Sequence, residues 1–243
     1  MYPIIRERWG YSVSHGHWMV ERVIFGQNMT FNMDTLVTMW AAMAFLLVVA
    51  FFATRKLSIF PGKLQLVFEK ILGYFDDLVS GMIHEGGRKH FPLVASLFLF
   101  IVTANLMGQL PLKVFELKAG EIASPTNDIN LTAGLAVIVL VYYVVAGLIK
   151  KKHKFLLHEI SFVGIISMLV EILELVTRPL TLALRLFGNI LAGEILITAL
   201  LGLCAWGLPL PIMFFEILVA CVQALVFTML TTVYIATAVN ENH

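Results

Sequence analysis

Arg185 is set in a run that reads RPLTLALRLFGNILAGEILITALL over residues 178–201, most of it leucine, isoleucine, alanine and phenylalanine. A guanidinium keeps its proton at any working pH. At membrane depth a charge costs at least about 2.5–3.5 kcal/mol on insertion scales, so such a residue marks a functional site by default. The polar residues within reach of it in the chain are Glu171, Glu174, Thr177, Arg178, Thr181, Asn189 and Glu194. A second apolar run carries Glu216, Gln223, Thr228, Thr231 and Thr232. Carboxylates and amides around one permanent cation suit the movement of protons or cations better than nucleophilic chemistry.

Helical geometry sorts these residues. Glu174 precedes Arg185 by eleven positions, about 20° away in angle and about 16 Å along the axis. Glu171 falls about 40° off the same line and about 21 Å away. Asn189 is one turn beyond Arg185. Glu194 lies about 13 Å beyond it on the opposite face. Glu216 and Gln223, seven apart, share a face and would meet Glu194 or Arg185 across a hairpin. Carboxylates thus flank the guanidinium at different depths and on different faces. Two offset aqueous half-channels with a fixed charge between them need that arrangement: an ion enters one, leaves by the other, and is repelled from a direct path.

Plainer roles compete for some of these groups. Glu174 and Arg178 are four apart and suit a helix-surface ion pair. Glu171 sits near a helix end where water reaches it. The threonines can bond to their own helix backbone. Gly188 and Gly193 let helices approach closely. Arg185 itself has no carboxylate three or four positions away, so no local pair explains it.

Other chemistry finds no support. HEISF at His158 begins like a zinc-protease motif but has Phe162 where the second ligand belongs. There is no P-loop, G-x-G-x-x-G or G-x-S-x-G. The chain is expected to hold no metal and no cofactor, and to have no catalytic site of its own. Cys204 and Cys221 read as small buried hydrophobes.

The elements that must position the polar set are membrane helices. The 243 residues are 59% hydrophobic and 14% charged, against about half and about a quarter in soluble domains. The fold class is therefore all-α integral membrane, a single membrane domain over 1–243. The net charge of +1 offers nothing to nucleic acid. A polar, aromatic leader (1–33) carries no signal-peptide pattern and is expected to stay on the mature protein. Spans follow at 34–54, 92–110 and 131–149, each near the 20 residues a helix needs to cross. Between the first two, residues 61–84 place Leu64, Val67, Phe68, Ile71, Leu72, Phe75, Leu78 and Val79 at helical spacing among lysines and carboxylates. That pattern predicts an amphipathic helix on the membrane surface. Residues 158–202 and 208–239 are too long to stand upright in about 30 Å of hydrocarbon. They are expected to form a long, steeply tilted hairpin, kinked at Pro179 and turning at GLPLP.

Positive charge sets the orientation. Arg55, Lys56, Lys63, Lys70, Arg88 and Lys89 follow the first span, and Lys150, Lys151, Lys152 and Lys154 follow the third. These loops are expected in the cytoplasm, with the amino terminus outside and the carboxyl terminus inside a bacterial inner membrane.

RPLTLALRLFGNILAGEI followed by VQALVFTMLTTVYIATAV closely resembles subunit a of the rotary F-type ATP synthase. FLFIVTANLMGQLP resembles that family's second spanning segment. The resemblance covers roughly residues 91–239. It implies a stator subunit of the proton path, or of a sodium path, packed against a rotating ring of c subunits and associated with peripheral-stalk b subunits and the rest of the synthase. It assigns Arg185 to the essential arginine that faces the passing c-subunit carboxylate. It assigns Asn189, Glu194, Glu216 and Gln223 to the outer inlet half-channel, Glu171 to the inner outlet, and Asn105 to the inlet side. Glu174, on Glu171's face, goes with the outlet. Some relatives carry a carboxylate where this chain has Gly108, and many carry histidine where it has Glu216. Outside that resemblance two readings stay open: a secondary transporter that uses Arg185 to bind an anionic substrate, and a purely structural membrane scaffold.

Overall fold

The computed structural model describes residues 11–14, 17–24, 27–55, 59–84, 86–109, 125–151, 162–203, 207 and 209–240. Five of its helices are long and apolar enough to cross a membrane: α1 (Met33–Thr54), α3 (Phe91–Gln109), α4 (Ile129–Lys151), α5 (Phe162–Leu203) and α6 (Pro209–Val239). α2 (Lys63–Met82) is the amphipathic helix, with Phe75 and Val79 on its buried edge. The membrane-embedded part is all-helical, as composition requires.

The leader adds an element that the sequence reading did not foresee. Strands β1 (Tyr11–Ser14), β2 (His17–Ile24) and β3 (Gln27–Asn32) pair antiparallel in the order β1-β2-β3, with Tyr11 opposite Val20 and Met19 opposite Asn32. Trp18, Val20, Val23, Ile24 and Phe31 are the aromatic and β-branched types that favour strands. Each pair of strands is separated by two residues ending in glycine, Gly16 or Gly26, a composition suited to tight hairpins. Periodicity shows poorly over runs as short as β1, where four residues hold only two alternations.

The helices pack by small residues and interlocking apolar ones. α3 lies on α6, where Ala104, Ala220 and Ala224 are fully buried. Without Cβ branching at these points the backbones approach closely, which is how membrane helices gain contact when lipid supplies no hydrophobic drive. α4 bridges α5 and α6. α2 joins the core through the Phe75 ring, 4.6 Å from that of Phe98 on α3. Outside this core α1 turns Trp40, Leu47 and Phe51 outward, an apolar face fit for lipid.

α5 runs 42 residues without interruption past Pro179, about 63 Å of helix at 1.5 Å per residue. The proline ring removes one backbone bond but does not end the helix. The buried threonines of α6 behave as their spacing suggests. The hydroxyls of Thr228, Thr231 and Thr232 donate to the carbonyls of Ala224, Phe227 and Thr228 at 2.8, 2.9 and 2.9 Å. Cys221, expected among buried hydrophobes, is instead exposed, beside outward-facing Leu218 and Val222. Its thiol is apolar enough for a lipid face, so composition alone does not choose between the two. Cys204 lies outside the described residues.

The two ends of the bundle are tied differently. At one end Asp128 caps α4 by accepting from the Asn130 backbone N–H at 2.9 Å. Its other carboxylate oxygen accepts from Asn32 at 2.8 Å and from Thr35 at 3.1 Å, across the start of α1. Burial alone would raise the Asp128 pKa, but these donors outweigh it and hold the carboxyl below its ordinary value. At the other end the Asn240 side-chain amide donates to the Met82 carbonyl at 2.9 Å and fastens α6 to α2.

Candidate functional site

α5 presents two faces. Leu182, Ala183, Leu186 and Ile190 are buried against the bundle. Leu173, Val176, Leu180, Leu184, Ile195 and Leu196 are exposed. Arg185 is exposed with the second group. Among the described residues its guanidinium makes neither a hydrogen bond nor an ion pair. A lone cation in an outward apolar stripe has no stable place facing hydrocarbon. Among the described residues no carboxylate lies within ion-pair distance of Arg185.

Beyond Arg185, toward the carboxyl end of α5, a polar cluster gathers. Glu216 and Gln223 are both buried on the inner face of α6. Ala220 lies between them on that face, and its carbonyl accepts from Asn105 Nδ2 of α3 at 3.3 Å. The Glu216 carboxyl group crosses to α5 at Gly193. A Cβ built on that glycine would stand 2.7 Å from the Glu216 carboxyl carbon and 3.2 Å from Oε2. Glu194, the next residue, accepts a hydrogen bond from Asn127. Asn127 is delivered by a buried 3-10 turn, Pro125–Asn127, packed against α1, α3, α4 and α5. The structure thus brings Glu216 to the backbone beside Glu194 and Asn105 to the same face of α6, while Gln223 is buried two turns from Glu216 and Asn189 lies half-buried one turn from Arg185.

Asn105 Oδ1, Asn127 Oδ1 and Gln223 Nε2 are buried with no hydrogen-bond partner among the described residues. Buried polar atoms are nearly always paired with protein or ordered water. These therefore call for water among the helices.

On the other side of Arg185 the surroundings are ionic and aromatic. Glu174 forms an ion pair with Arg178, the local pairing that their spacing allows. Arg178 also donates from Nη1 to the Thr237 hydroxyl at 3.3 Å. Its guanidinium carbon lies 5.0 Å from the Tyr234 ring centroid and 5.9 Å from that of Tyr143. Glu171 is on α5, but its side chain is outside the described residues, as are His158 and residues 110–124.

Sequence reasoning missed Asn127 and the two tyrosines. Asn127 sits in PTND ahead of an apolar run, which signals a helix start but says nothing about a distant carboxylate. Tyr143 and Tyr234 look like ordinary interior aromatics until α4 and α6 are packed together.

Comparison with known proteins bears on the whole chain. Residues 36–236 match the family model described as ATP synthase A chain. The chain is 39% identical over 236 residues to the ATP synthase subunit a of Gloeobacter violaceus, covering 92% of this chain and 94% of that one. A match of this extent takes in every spanning helix, and the chain belongs to the ATP synthase A chain family.

Proposed function

We propose that the chain is the stator half of the ion path of an F-type ATP synthase, with Arg185 as the electrostatic divider between two half-channels. The observation that carries this reading is the unpartnered Arg185 on an exposed apolar stripe of α5, with carboxylates above and below it. A ring of c subunits with a mid-membrane carboxylate fits that face. The carboxylate is neutral while it faces lipid and ionised while it faces Arg185.

The inlet is formed by Asn105, Glu194, Glu216 and Gln223 with Asn189 at its inner limit. Water that satisfies Asn105 Oδ1, Asn127 Oδ1 and Gln223 Nε2 would carry protons between them. Glu194 and Glu216 lie on α5 and α6, which pack against one another, and either carboxyl group could carry a proton along this path. Glu171 and Glu174 line the outlet. A potential of about 100 mV supplies about 2.3 kcal/mol per charge, so several ions pass for each ATP made. Peripheral-stalk b subunits hold the chain against rotation. The amino terminus lies outside a bacterial inner membrane and the carboxyl terminus inside.

The test is ATP-driven ion uptake by the intact synthase reconstituted in vesicles, with and without sodium. Arg185→Ala is expected to abolish uptake in an assembled complex. Uptake that persists overturns the reading. Uptake by the wild type that needs sodium reassigns the ion and leaves the divider intact. A substrate anion that binds the isolated chain through Arg185 would favour a secondary transporter.

A further inference from the structure

Arg178 stands two turns before Arg185 on α5, about 10 Å along the axis and about 20° away in angle, so both side chains leave the helix on nearly one stripe. Their surroundings differ. Arg185 is exposed, whereas Arg178 is half-buried. The Arg178 guanidinium carbon lies 5.0 Å from the ring centroid of Tyr234 on α6 and 5.9 Å from that of Tyr143 on α4. The two rings are themselves 6.2 Å apart, inclined at 53°. Three groups from three helices thus close a triangle. Thr237 of α6 accepts from Nη1 at 3.3 Å, and Glu174 pairs with Nη2.

The rings, rather than their hydroxyls, hold the guanidinium. Tyr143 is 3% exposed, and its hydroxyl has no hydrogen-bond partner among the described residues. A cation within about 6 Å of an aromatic face is attracted by the ring quadrupole. Arginine suits such a place because its planar group stacks on a ring while its fork still donates hydrogen bonds.

The next residue is Pro179. Its ring nitrogen carries no proton, so α5 lacks the backbone bond to the Leu175 carbonyl there. Helices bend most readily at such a break. The contacts of Arg178 fasten α5 to α4 and α6 at that break. Beyond it α5 continues to Leu203, so a rotation of the helix near Pro179 is carried on to Arg185.

We infer that Arg178 is a positioning residue for Arg185: held by Tyr143 and Tyr234, it fixes the rotation of α5 at the Pro179 break and so keeps Arg185 on the outer face. The effect on ion movement rests on the reading of Arg185 as the divider. The fixing of α5 does not.

Two readouts on the intact synthase test this. In a form whose native cysteines are replaced, nitroxides are attached through Thr198→Cys on α5 and Val141→Cys on α4, both exposed positions, and their separation is measured by pulsed electron paramagnetic resonance. In vesicles without labels, ions taken up per ATP hydrolysed are counted, a ratio that a lower yield of assembled complex does not change. Arg178→Gln is expected to shift or broaden the distance distribution and to lower the ratio about tenfold or more. Tyr234→Leu should do the same, although it leaves the Glu174 pair in place. Tyr234→Phe and Tyr143→Phe keep the rings and should match the wild type. Pro179→Ala should restore both readouts in the Arg178→Gln background, because the backbone then closes its own ladder. If Arg178→Gln does not assemble, the contrast between Tyr234→Leu and Tyr234→Phe carries the test. Unchanged distances in Arg178→Gln and Tyr234→Leu overturn the inference, as does equal behaviour of Tyr234→Leu and Tyr234→Phe. Altered distances with a normal ratio overturn the link to Arg185. Should Arg185→Ala itself leave uptake intact, the divider reading fails, and the distances alone decide whether Arg178 fixes α5.

Discussion

The Glu216 carboxyl group occupies the space that a side chain on residue 193 would fill, with its carbon 2.7 Å from an ideal Cβ position there. α6 therefore brings a carboxylate to the backbone of α5 one residue before Glu194. Gly193→Ala makes the flexible end of the Glu216 side chain turn away, with no backbone atom in the path of the new Cβ. The cost should therefore fall at the low end of overpacking penalties, about 1 kcal/mol. In a double-mutant cycle the penalty should shrink in a Glu216→Ala background, because the two changes act on one contact. Thermal unfolding of the reconstituted complex measures it, and equal penalties in both backgrounds would refute the contact.

Arg185→Lys separates charge from permanence. A lysine ammonium is desolvated in the same place and can lose its proton, whereas arginine does not. ATP-driven pumping is expected to fall by at least about tenfold in the lysine variant, with passive proton leak through the membrane sector rising. Pumping at the wild-type rate would show that any cation suffices.

Glu216→Gln keeps the shape of the side chain beside Gly193 but replaces a group that can carry a proton by an amide that cannot. If the proposed inlet runs through it, ATP-driven pumping is expected to fall by about tenfold or more. Glu194→Gln should act in the same direction, and the double variant should add little to either. Pumping at the wild-type rate in all three variants removes these residues from the path.

Asp128 ties α1 to α4 and should make stability acid-sensitive. Its folded pKa is lowered, so the stability it confers is present above the unfolded value and is lost as pH falls through the folded value. The loss is confined to acid, below about pH 4. Asp128→Ala should cost about 1 kcal/mol near neutral pH through the lost cap and flatten the acid limb of the melting-temperature curve. An acid limb identical to that of the wild type would assign the sensitivity to other carboxylates.

Much of this was legible in the sequence because the membrane imposes strong constraints. A segment such as Leu36–Ala53 must be helical to satisfy its backbone in lipid, and its length follows from bilayer thickness. The seven-residue spacing of Glu216 and Gln223 placed both on one face, and both are buried there. Arg185 stood out because no local partner explained its charge. The β1–β3 sheet was less legible: its strands are short, and their pairing partners are set by register across hairpins.

The sequence by itself determined which residues are helical, which are costly in lipid, and how they are spaced along each helix, since rise and angle per residue are fixed by backbone geometry. Only the tertiary structure decided which of them meet. Asn127 reaches Glu194 across 67 positions, Asn105 reaches Ala220 across 115, and Asn32 reaches Asp128 across 96. Periodicity carries no information over such separations, because these contacts depend on how helix surfaces interlock. The same packing turned Arg185 to the outer, apolar face of α5.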